Sequence, residues 1–76
     1  MKNKKPTQKE MIETLGRALM SFAMCRDKGV EAPEFNGTGF AITFMSGRDN
    51  MWMEMCSKFA VEAKDKLVAA EQSRAV

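Results

Sequence analysis

Seventy-six residues, 45% hydrophobic and 29% charged, suit one small domain, and a formal net charge of +2 is too small to hold a chain open by self-repulsion. No apolar run reaches the roughly 18 residues that a membrane span requires. The sequence has no histidine, which removes the commonest general acid–base group and the commonest metal ligand.

Residues 1–6, MKNKKP, read as a flexible basic tail, and residues 7–76 as a single globular domain. Thr7-Gln8-Lys9-Glu10 has the form of a capping box, with the Thr7 hydroxyl facing the Glu10 amide and the Glu10 carboxylate reaching back. The spacing predicts a helix over 7–28. Met11, Ile12, Leu15, Ala18, Leu19, Phe22 and Cys25 fall in one broad apolar stripe at 100° per residue. Gly29 is the expected stop, after the basic last turn Arg26-Asp27-Lys28. Met20 and Met24 project from the polar side. Either they meet a partner or residues 30–40 fold back over them.

Pro33 breaks the helical pattern, and Asn36-Gly37 is a tight-turn dipeptide because both residues tolerate positive φ. Beyond it Phe40, Ile42 and Phe44 alternate with smaller residues, the period of a half-buried strand. Residues 31–35 would then pair with 40–45 as a proline-bearing edge strand. Ser46, Asp49 and Asn50 are candidate N-caps for a second helix over 49–72, whose buried stripe is Trp52, Met55, Cys56, Phe59, Ala60, Ala63, Leu67 and Ala70. The fold class expected is α+β and mostly helical, two long amphipathic helices flanking a short β-hairpin or single strand. Self-matches at one offset, among them Gly16/Gly47, Met20/Met51 and Cys25/Cys56, read as coincidence in a Met- and Ala-rich chain.

Chemistry-bearing motifs are sparse. Cys25 and Cys56 lie on apolar helix faces and read as buried reduced thiols of a cytoplasmic protein. A Cys25–Cys56 bridge would need the two helices to bring their Cα atoms within about 7 Å. GTGFAITF lacks the lysine and spacing of a phosphate loop, and no zinc-ligand spacing occurs. The expectation is therefore a non-enzyme without metal or cofactor: a small protein-interaction module, an accessory or inhibitory chain acting on a larger protein. Its expected contact residues are Met20, Met24, Phe35, Arg48, Met51 and Met53. A core this small supplies at most about 3–5 kcal/mol, so a homodimer is expected, completed by pairing the Phe40–Met45 strand with its copy. The alternative is a nucleic-acid-associated accessory protein that uses Lys2, Lys4, Lys5 and Lys9.

Overall fold

A computed structural model describes residues 5–74 and shows three helices over them: α1 (Gln8–Asp27), α2 (Gly37–Met45) and α3 (Asp49–Arg74). No strand occurs among the described residues. The expected α+β class, with a hairpin or strand inside 31–45, is therefore corrected to all-α. The strand edge through which two copies were expected to pair disappears with it.

The correction turns on two local choices. Asn36 caps instead of turning: its Oδ1 accepts from the Gly39 N–H at 3.0 Å, and its carbonyl accepts from the Phe40 N–H at 3.0 Å. Phe40 and Phe44 then lie four residues apart, which puts both on one helical face, and both rings meet Trp52 at centroid distances of 5.0 and 5.6 Å. A run this short fits either period, and packing on the indole selects the helix. Thr43 satisfies its hydroxyl within the helix by donating to the Gly39 carbonyl at 2.7 Å.

α1 begins and ends where its sequence indicates. The Thr7 N–H donates to Glu10 Oε1 at 2.8 Å, and the Glu10 N–H donates to Thr7 Oγ1 at 3.1 Å, closing the capping box. Thr7→Ala is expected to lower stability by about 1 kcal/mol in a urea titration, whereas an unchanged midpoint would show that the cap contributes nothing. At the other end Gly29 adopts φ 69°. Its N–H donates to the Arg26 carbonyl at 3.2 Å, and the Val30 N–H donates to the Cys25 carbonyl at 2.8 Å. This Schellman arrangement also closes α2, where Gly47 adopts φ 74° and Gly47 and Arg48 donate to the Phe44 and Thr43 carbonyls. Gly16, the supposed counterpart of Gly47 in a repeat, is an ordinary residue inside α1.

α3 is the spine. Cys25 Sγ–H donates to the Ala63 carbonyl at 3.7 Å near one end of α1, while Met11 and Trp52 line one depression near the other. α1 and α3 therefore run in the same direction, and α2 descends between their ends. The buried core is Ala18, Cys25, Trp52, Cys56, Phe59 and Ala63. Small side chains at Ala18, Cys25, Cys56 and Ala63 let α1 and α3 approach closely. α1 and α2 each pack on α3 but not on one another. The chain measures 47 × 26 × 16 Å.

Candidate functional site

Because α1 and α2 stand apart on a common helix, an apolar trough opens between them. Its upper half is a depression of about 270 Å³, with Leu15, Leu19 and Phe22 of α1 on one wall and Pro33, Phe35 and Phe40 on the other. Cys56 and Phe59 form the floor. Its lower half is broader and shallower, about 640 Å³, between Met11 and Ile12 of α1 and Ala41 and Phe44 of α2. Gln8 and Asp49 supply the polar rim there. Leu15 and Phe40 belong to both halves, so the trough is continuous.

Every aromatic side chain of the sequence lies along this feature, in one unbroken series. Phe22 meets Phe59 at 6.3 Å, Phe59 meets Phe35 at 5.3 Å, Phe35 meets Phe40 at 5.0 Å, and Phe40 leads through Trp52 to Phe44. Such pairs add about 0.5–1.5 kcal/mol each beyond burial, and they hold the second wall in place. The Trp52 Nε1–H is buried and has no acceptor among the described residues. Its indole therefore acts as a packing surface.

The six expected contact residues are dispersed. Phe35 is in the trough wall. Met20 and Met24 lie on the solvent side of α1, 67% and 44% exposed, and residues 30–40 do not cover them. Met51 is exposed on α3, and Met53 is half-buried against the core. Arg48 is exposed in the turn before α3, where its carbonyl accepts from the Trp52 N–H at 2.9 Å. Ser46 proves to be the C-cap of α2, while Asp49 and Asn50 begin α3. Of the four lysines, Lys5 and Lys9 are exposed, and Lys2 and Lys4 lie outside the described residues, as does most of the expected flexible tail.

Ile12, Leu19 and Phe22, which fall in the apolar stripe of α1 but were not among the expected contact residues, line the trough and are exposed. One signal was available. The apolar stripe of α1 spans roughly 140° at 100° per residue, wider than contact with one helix consumes. Thr14, Ala18 and Cys25 take the side toward α3, and Ile12, Leu15, Leu19 and Phe22 take the side toward the trough.

Both cysteines are free and buried. Burial pushes the Cys56 thiol above its ordinary value of 9.0. Among the described residues no group of three or more Cys, Asp or Glu side chains comes together as a metal site, and no helix is long and apolar enough to cross a membrane. Comparison with family models, curated proteins and solved structures finds no match for this chain.

Proposed function

We propose that this chain is a small non-catalytic protein-interaction module, an accessory or inhibitory protein that acts by docking a larger protein. The observation that carries the reading is the upper half of the trough. All nine of its lining side chains are Leu, Ala, Phe, Pro or Cys, and Leu19 is 58% exposed. A pocket for a polar metabolite needs a few convergent polar groups to orient its ligand, and this one offers none. Apolar side chains presented along a partner's amphipathic helix suit such a groove, in the manner of other helix-in-groove complexes. The Met20–Met24 face is convex and lies on the far side of α1, so it is the weaker candidate for the same role.

Leu19→Glu places a charge in the groove, and Met20→Glu with Met24→Glu places two on the opposite side. In affinity capture from native cells, with bound proteins quantified by mass spectrometry, Leu19→Glu is expected to reduce partner recovery at least about tenfold. The methionine pair should leave recovery within about twofold. The reverse pattern would move the docking surface to Met20 and Met24, and recovery unaffected by all three substitutions would refute the reading.

A further inference from the structure

We infer that Asn36 is a site of spontaneous covalent modification, where the side chain cyclises onto the backbone of Gly37 whenever the first turn of α2 opens. Asn-Gly occurs once in the sequence, and both residues are exposed. The reaction needs only water. The Gly37 amide nitrogen attacks Asn36 Cγ, its proton departs with the side-chain nitrogen as ammonia, and a cyclic succinimide remains. Water then opens the ring at either of its two carbonyls. One opening leaves an aspartyl residue, and the other leaves an isoaspartyl residue whose main chain runs through the former side chain.

The nucleophile is unobstructed. Glycine has no side chain to hinder the approach, and the Gly37 N–H, in the first turn of α2, has no intrahelical acceptor. The electrophile is held in reserve. Asn36 Oδ1 accepts from the Gly39 N–H at 3.0 Å, with the Asn36 backbone at φ −85° and ψ 89°. Cyclisation requires Cβ and the Gly37 nitrogen to eclipse one another about the Cα–C bond, and at this ψ they stand nearly opposite. The closed cap therefore protects Asn36, and its opening admits the reaction.

That opening is easy because α2 is weakly held. Its sequence, GTGFAITFM, is dominated by glycine, threonine and phenylalanine, all poorer helix formers than alanine, and none of its residues is buried. It packs on α3 alone, through Phe40 and Phe44 on Trp52. Local opening costs least where buried contacts are few. The product bears on the trough. Phe35 and Phe40, on either side of Asn36, meet at 5.0 Å and belong to one wall of its upper half. An isoaspartyl linkage lengthens the main chain between them by one carbon and takes the capping carbonyl into the backbone, so it loosens that wall. The inference goes beyond the interaction-module reading, and its reaction is measured with no partner present.

Incubation of the full chain in mildly alkaline buffer, followed by peptide mapping with mass spectrometry, tests this. Asn36 is expected to convert to the acid, while Asn50, which precedes Met51 inside α3, stays intact. Isoaspartyl and aspartyl products should both appear, because a ring opens both ways whereas direct hydrolysis of the amide yields aspartyl alone. Gly37→Ala, whose Cβ meets nothing within 4 Å, should keep the helix and slow conversion at least about tenfold. Phe44→Ala removes one of the two rings that hold α2 on Trp52 and should speed conversion at least about threefold. Should that variant fail to fold, urea below the wild-type unfolding transition loosens α2 in its place, with the same acceleration expected. An Asn36 that stays intact through an interval in which the denatured chain converts overturns the inference. So does aspartyl product alone, conversion of Gly37→Ala at the wild-type rate, or an unchanged rate when α2 is loosened.

Discussion

Trp52→Ala is expected to abolish the folded state. Trp52 is 4% exposed and is the only α3 residue against which both Phe40 and Phe44 stack, so α2 loses its anchor along with the largest side chain of the core. Truncating a buried aromatic to alanine costs about 3–5 kcal/mol, and a single-core chain of this size commands no more than about 3–5 kcal/mol in total. The variant should lose its cooperative thermal transition and most of its helical circular dichroism. Trp52→Phe retains a stacking face and forfeits no hydrogen bond, since Nε1 has no acceptor among the described residues, and it should still melt cooperatively. A Trp52→Ala protein melting within about 1 kcal/mol of wild type would show that α2 is not held as described.

The two thiols are expected to be strongly protected. Cys25 and Cys56 are 0% and 1% exposed, so a disulfide exchange reagent reaches them only when the domain opens. With an opening free energy of about 3–5 kcal/mol, labelling in native buffer should run roughly two to three and a half orders of magnitude slower than in denaturant. Labelling at the unfolded rate would mean that the α1–α3 seam is not closed in solution. Burial also favours the protonated Cys56 thiol in the fold, so its folded value lies above 9.0. The unfolded chain then releases this proton first. The contribution is fully present below about pH 9 and is lost as pH rises through the folded value. Cys56→Ala, less stable at neutral pH, should therefore lose less stability than wild type between about pH 8 and about pH 10.

The ends of α1 were legible because they depend on residues within one turn of each other. Thr7 and Glu10 can only cap one another, and Gly29 takes a backbone angle that other residues resist. The long helices, expected over 7–28 and 49–72, occur at Gln8–Asp27 and Asp49–Arg74. α2 was not legible, because Phe40, Ile42 and Phe44 satisfy the strand period while Phe40 and Phe44 alone satisfy the helical one. The deciding contact, Trp52, lies well outside that window. Asn36-Gly37 was open to two readings for a similar reason, since asparagine serves a tight turn and a helix start equally well. The trough was hidden at a higher level. Periodicity assigns Ile12 and Leu19 to an apolar face, but only the separation of α1 from α2 leaves that face partly uncovered.

The parallel run of α1 and α3 has a consequence for biosynthesis. The sulfur-to-carbonyl contact of Cys25 with Ala63 spans 38 residues, and Phe22 meets Phe59 across nearly as many. α1 therefore leaves the ribosome well before the surface it rests on exists, and most of a helix's stability in a protein comes from packing its amphipathic face. The Phe40–Trp52 and Phe44–Trp52 contacts are much shorter in range and can form early. Nascent chains should consequently assemble from α2 and α3 backward, with α1 the last of the three to find its place.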